Sequence, residues 1–449
     1  MRVVIIFKIY REMVKKMMKK IIIAALVVVH GYAQEVAFNV KEREHSVRDI
    51  IDSVAKSQDK EISIVTEASD MFTDAKISGG LRALYSGYEY GGAQSQYATA
   101  VGAQIKYELA AFRGFHAAVE FSSSHDIDFA TGEGVGHNAE ISSTKGNYTE
   151  LSQAYINYKN GGVNLRAGRQ LIDTPLADSD DIRIIANTFE AYTLSYEWES
   201  LTFMGGLLTR WQGTDTGLSA ENHWSDTGED GTHFGGLSYS DDFIDSSVWY
   251  YGISKDSDPN SATGNVANSS FYTDISLHIE LSKEYALHAS AQYLNQKEAD
   301  ASAMDATIYG AMAELVMFED FALSTAYNKS QKQEGKGSFS GFGGGTLYTN
   351  MDSMILDTIT MDRDAQALVA GLTYRYNDFG FMYVYGAFDG EANSFGIKER
   401  IIEQNIGFEY TPDEKVTFAA LYVKNEDKKE GGSNGGDWEN VRVLLSYNF

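Results

Sequence analysis

The sequence predicts an all-β chain that closes into a transmembrane antiparallel barrel of about 18 strands, preceded by a short helical extension. Three observations carry that prediction. Apolar and polar residues alternate with period two over segments of about ten residues. The links between those segments are alternately very short and long. The chain of 449 residues also ends in such a segment, with Phe449 last. Composition agrees, since 42 Gly and 28 Tyr with only 3 Pro suit many strands joined by turns. Mean hydropathy is −0.29, which looks soluble, but only alternate residues of a barrel strand face lipid.

The first element is an address. Residues Ile21 to Val29 read IIIAALVVV, too short for a membrane helix, which needs about 20 apolar residues. Lys15, Lys16, Lys19 and Lys20 precede this run, and Gly31-Tyr32-Ala33 follows it. Basic, apolar and small-residue regions in that order make residues 1–33 a secretory signal peptide, with cleavage after Ala33. Met17 or Met18 is the more ordinary start. No other run approaches a helical span, so strands must do the spanning. Residues 34–74 are the second element, a periplasmic extension. In it Val47, Ile50, Ile51 and Val54 recur at helical spacing within the charged stretch Glu44 to Lys60. That predicts a short amphipathic helix which plugs the barrel or touches a partner; a loosely ordered extension is the plainer reading.

The barrel occupies residues 75–449. In its first strand Ile77, Leu81, Ala83 and Tyr85 share one face, while Lys76, Ser78, Arg82 and Ser86 share the other. The same alternation places strands near 75–88, 96–109, 114–125, 149–159, 162–172, 188–197, 200–211, 232–241, 245–255, 268–281, 284–294, 304–317, 320–329, 364–376, 379–388, 399–410, 415–425 and 438–449. After even strands the link is short, as at Asn160–Gly161 and Asn377–Asp378. After odd strands it is mostly long, as at 126–148, 173–187, 212–231 and 330–363. Short turns on one side and long loops on the other are the topology of bacterial outer-membrane barrels, and an even strand count leaves both termini on the turn side. Tyr and Phe gather near strand ends, as aromatic girdles would.

Charge and residue types exclude several functions. With no Cys there is no disulfide scaffold and no thiol nucleophile or ligand. A net charge of −26 disfavours nucleic-acid binding. No G-x-S-x-G elbow leading from a strand into a helix and no H-E-x-x-H helix occurs, and the histidines are scattered, so no catalytic role is expected. Asp256-Ser-Asp258-Pro-Asn260 offers alternate oxygen ligands but lacks the Gly and Glu of an EF-hand loop, so no metal is expected. Gly343-Gly344-Gly345 lacks the Lys-Ser/Thr of a phosphate loop and reads as part of a large mobile loop over the pore. No cofactor is implied.

Candidate functional residues follow from the lumen. Alternation points Arg82, Lys106, Arg166, Arg210, Arg375 and Arg442 inward. Arg82 and Arg442 lie on strands that become neighbours on closure. They form either part of a basic track for carboxylates or ion pairs with lumen acids such as Glu108, Glu120 and Glu409. The third long link carries Asp173, Asp178, Asp180, Asp181 and Arg183 and ends apolar. Folded inward, it would set a constriction and a transverse field. The outer loops are acidic, with Asp126, Asp128, Glu133 and Glu140 in one and Asp215, Glu221, Asp226, Glu229 and Asp230 in another, which should enrich cations at the mouth.

The stretch Gly168-Arg169-Gln170-Leu171-Ile172-Asp173-Thr174-Pro175-Leu176, with Asp180-Asp181-Ile182-Arg183 and Asn187-Thr188-Phe189-Glu190, resembles the strand, third loop and next strand of the outer-membrane porin D superfamily. Met71-Phe72 and Ile77-Ser78-Gly79-Gly80-Leu81-Arg82-Ala83 resemble the first strand of its campylobacter-type branch of major outer-membrane porins. The resemblance implies an 18-stranded barrel, an inward third loop, and a basic wall at Arg82, Arg166, Arg169 and Arg442. Strict alternation from Arg166, however, turns Arg169 outward. The expected role is passive diffusion of ions and small hydrophilic solutes across the bacterial outer membrane, in contact with its lipid, as a monomer or homotrimer. A structural or adhesive barrel with a plugged lumen is the alternative.

Overall fold

The computed structural model describes residues 62–91, 93–127, 136–138, 147–180, 183–213, 224–258, 263–432 and 435–449. The signal peptide and the helix expected at 44–60 lie outside the described residues. So do Asp181 of the third loop, the outer-loop acids Asp128, Glu133, Glu140, Asp215 and Glu221, and Pro259 and Asn260.

The long strands are β1 Lys76–Tyr90, β2 Gln96–Glu108, β3 Phe115–Asp126, β4 Asn147–Asn160, β5 Val163–Gln170, β6 Thr188–Trp198, β7 Leu201–Gln212, β8 Thr232–Ser240 and β9 Ile244–Ile253. They continue as β10 Asn268–Ser282, β11 Tyr285–Glu298, β12 Ala306–Met317, β13 Phe321–Gln331, β14 Ala365–Tyr376, β15 Phe379–Gly390, β16 Glu399–Asp413, β17 Val416–Asp427 and β18 Trp438–Asn448. Each pairs antiparallel with its sequence neighbour, as in the run Ile77↔Tyr107 to Tyr88↔Gln96 between β1 and β2. The sheet closes where β18 pairs with β1, from Gly80↔Asn448 to Tyr90↔Trp438. Closure removes the unpaired edges that would otherwise expose backbone N–H and C=O groups to lipid. The strand number and the turn–loop rhythm are those expected from sequence.

The outer surface is apolar. Ile77, Leu81, Ile105, Leu237, Leu368 and Leu445 all lie exposed on the outward parity of their strands. A continuous exposed apolar band is untenable in water and is what a lipid-facing barrel wall requires. The inward parity carries small and polar residues, such as Ser86, Ser122, Ser152, Ser276 and Asn405, all buried.

At the short-turn end the chain just before β1 packs under the first turn. Ile64–Val65 runs parallel to Ala111–Phe112, and the Ala110 N–H donates to the Met71 carbonyl at 3.0 Å. A single helical turn, Asp70–Thr73, leads into β1.

The largest core lies inside the barrel. Phe189, Trp211, Tyr251, Leu294 and Phe388 from the inner wall meet Leu176 of the third loop (171–187) and Phe339, Phe342 and Leu356 of the seventh (332–364). Burying these side chains at about 25 cal/mol per Å² gives both loops a reason to fold into the lumen. The seventh loop is therefore packed within the barrel, not laid loosely over the pore.

Candidate permeation site

The two inward loops are held from both sides. The third loop lies on β1 and β2, where Ile184 and Ile185 pack on Leu84, Ala98 and Ala100. Gly102 makes this possible, because a Cβ there would stand 2.2 Å from Ile184 Cγ2. Arg82 Nη1 donates to the Arg183 carbonyl at 2.8 Å, and Gln104 Nε2 donates to the Ile184 carbonyl at 3.3 Å. At its other end the Leu176 N–H donates to Tyr251 Oη on β9 at 3.3 Å.

The loop's acids largely fold the loop itself. Asp173 accepts from the Ser179 N–H at 3.1 Å and from its hydroxyl. Asp178 accepts from the Asp180 N–H at 2.8 Å. Asp180, with φ of 40°, pairs with Arg183 at 2.8 Å. Short polar side chains capping nearby N–H groups stabilise tight loop bends.

The seventh loop answers from across the lumen. Gln296 on β11 exchanges two hydrogen bonds with the Phe339 backbone, at 2.9 and 2.8 Å. Asn328 on β13 accepts from Thr349 N–H and hydroxyl, each at 3.1 Å. Ser353 binds the Glu403 carboxylate on β16. Asp352 pairs with Arg442 on β18 at 2.8 Å, with side chains only 11% and 8% exposed.

The loops also bind each other. Ala177 bridges Phe342 in parallel, with Asp178 N–H to Phe342 O at 2.9 Å and Phe342 N–H to Leu176 O at 3.0 Å. Gly343 explains part of the glycine tract. Its φ is +88°, and a Cβ would sit 2.2 Å from the Asp178 carbonyl, so the approach needs a residue without a side chain.

The sequence-derived basic residues separate into four groups. Arg82 and Arg442 face the lumen on adjacent strands, in register with Ser446 and Ser86, and each anchors a loop. Lys106 and Arg166 face it nearer the turn end. Arg166 lies 4.0 Å from the Tyr155 ring centroid and donates to Asn157 at 2.9 Å. Lys106 is 5.3 Å from the same ring and 3.7 Å from Glu108. Arg375 keeps the inward parity but stands exposed at the turn end of β14, away from both loops.

Arg169 and Arg210 do not line the pore. Both share register with Glu190, which lies on the outward parity with the exposed Tyr192 and Leu194. Arg210 holds Glu190 through both oxygens, at 2.9 and 2.8 Å, and Arg169 approaches it at 3.7 Å. A bulge between Leu208 and Arg210 inverts the alternation and turns Arg210 out.

Sequence reasoning missed Asp352 and the junction of the two loops. One signal was available. The run Met351 to Ile359 is rich in Met, Ile and Leu, which is wrong for a solvated loop and right for one packed in a lumen.

No protein-family model matches the chain, and no curated protein sequence does either. Several solved structures do. Pseudomonas aeruginosa OpdK, described as an outer membrane protein, matches with a TM-score of 0.69 and 15% identity, covering 84% of this chain and 99% of its own. Another OpdK structure contains vanillate, with the same TM-score of 0.69. Acinetobacter baumannii OccAB2 matches at 0.71 with 12% identity over 85% and 99% of the two chains. Pseudomonas aeruginosa OpdQ matches at 0.66 with 16% identity over 85% and 99%. At these identities the likeness concerns fold, and by fold this chain is a closed transmembrane barrel of the same kind as these bacterial proteins.

Proposed function

We propose that the protein is a channel of the bacterial outer membrane through which ions and small hydrophilic solutes diffuse passively. The observation that carries this reading is the pair of inward loops pinned to neighbouring strands by Arg82 and Arg442. A barrel of this strand number is wide enough for an aqueous lumen, and the loops narrow it without abolishing its polar wall. Around the narrowing stand Arg82, Arg183 and Arg442 against Asp178, Asp180, Asp352 and Glu403. Opposed charges across a constriction orient and select polar solutes. The apolar exterior is the surface for membrane lipid.

Vanillate in OpdK makes small aromatic carboxylates the first solutes to try. The test is conductance of the reconstituted full chain in a planar bilayer, followed by liposome swelling with vanillate and with neutral sugars. Stepwise openings and solute entry support a channel. Folded, heat-modifiable protein that gives neither leaves the structural or adhesive barrel as the better reading.

A further inference from the structure

On the lumen wall toward the turn end, four titratable side chains form a row across four strands that the loop anchors do not use. His278 on β10 and His288 on β11 are register partners, with ring centroids 5.0 Å apart and planes at 73°. His278 Nε2 lies 2.7 Å from Asp245 Oδ2 on β9. His288 Nδ1 lies 3.5 Å from Glu314 Oε1 on β12, and these two residues are also register partners. The row is on the inward parity, with Ser276 and Asp274 buried along the same face of β10 and Ile275, Leu277 and Ile279 exposed on the other. Both imidazoles retain some exposure, 15% and 17% of their side chains, so lumen water reaches them.

The surroundings are mostly acidic. Ser240 Oγ on β8 donates to Asp245 at 2.5 Å. Asp274 precedes His278 on the same face and accepts from Ser247 of β9. Glu280 follows on β10, and the turns at this end bring Asp241, Asp242, Lys283, Glu284, Glu319 and Asp320. On β13, Ser324 stands opposite Glu314 and adds no charge.

We propose that the His278–His288 pair makes the channel's ion selectivity depend on pH near neutrality. The inference rests on the channel reading above. Histidine is the side chain whose ordinary titration falls between about pH 5 and 8. With both imidazoles neutral, Asp245 and Glu314 give the row a formal charge of −2; with both protonated it is 0. A charge placed on the wall of a water-filled pore attracts counter-ions and repels co-ions within about a Debye length, roughly 10 Å at 0.1 M salt. Lowering the pH therefore weakens cation preference. The third described lumen-facing histidine, His116, is a separate group. It is buried on β3, 4.0 Å from Glu108.

The test is the reversal potential of the reconstituted full chain under a KCl gradient, from roughly pH 8 to pH 5.5, a window that spans histidine titration. Wild type should lose about half or more of its cation-to-anion permeability ratio across it. His278→Asn/His288→Asn should lose that dependence, each single variant should show part of it, and His116→Asn should behave as wild type. Comparing variant with wild type separates the imidazoles from carboxylates titrating in the same range. A flat wild-type profile, a double variant that tracks wild type, or a dependence removed by His116→Asn would each overturn the proposal. Should the double variant fail to give a heat-modifiable band, the wild-type profile and the single variants still decide it. Folded protein without openings would sink the channel reading itself, an outcome distinct from open channels whose selectivity ignores pH.

Discussion

Asp352→Asn tests the loop anchors most directly. Asp352 is the partner of Arg442 at 2.8 Å, both side chains being about nine-tenths buried. The variant keeps the shape, removes one negative charge and leaves the guanidinium on the wall. For an ion passing about 6 Å away, one unit charge in water is worth 332/(80 × 6), about 0.7 kcal/mol. Screening at 0.1 M salt reduces that to about 0.4 kcal/mol. Cation partition at the constriction should therefore fall by about twofold to threefold, with anion partition rising by a similar factor. The assay is again the reversal potential, now at fixed neutral pH. Arg442→Met/Asp352→Asn removes both charges and should return selectivity toward wild type. If Asp352→Asn left the reversal potential unchanged, the pair could not lie on the conducting path, and the seventh loop would be only packing.

Gly343→Ala should separate the two loops, since its φ of +88° and a Cβ 2.2 Å from the Asp178 carbonyl leave no room for a side chain. Strain of this sort costs about 1–3 kcal/mol. The expected result is larger, noisier conductance and new protease cuts within 332–364, with heat-modifiable migration retained. Two loop carboxyls predict opposite pH effects, readable by hydrogen exchange across 332–364. The Ser394 hydroxyl, with the Gly335 and Ser394 N–H groups and Lys332, holds Asp362 well below the usual carboxylate range. Its stabilisation is present above the unfolded value of about 3.9 and is lost only as pH falls through the much lower folded value. The Asp362 contacts should therefore persist at about pH 4, and Asp362→Asn should speed exchange at neutral pH. Burial, opposed by Ser338, raises the Asp357 carboxyl instead. Its effect has the other sign, with stability lost as pH rises through the folded value, so Asp357→Asn should slow exchange at neutral pH and change little in acid. Faster exchange in Asp357→Asn at neutral pH would contradict that reasoning.

What the sequence determined by itself is the wall. Alternation along Ile77, Leu81, Ala83 and Tyr85, the two-residue links such as Asn160–Gly161, and the terminal strand ending at Phe449 are local signals, readable over a few residues at a time. They sufficed for eighteen strands, their order and closure. The inward direction of Arg82, Lys106, Arg166 and Arg442 followed from the same period-two rule. That rule failed at Arg210, where one extra residue in a bulge reverses the parity, a backbone irregularity that the side-chain pattern does not announce. The interior was decided by tertiary structure. The contact of Leu176 with Phe342 and the pairing of Asp352 with Arg442 join segments far apart in sequence, brought together only when closure sets opposite walls face to face. No local periodicity encodes such contacts, because they depend on which apolar surfaces remain uncovered inside the finished barrel.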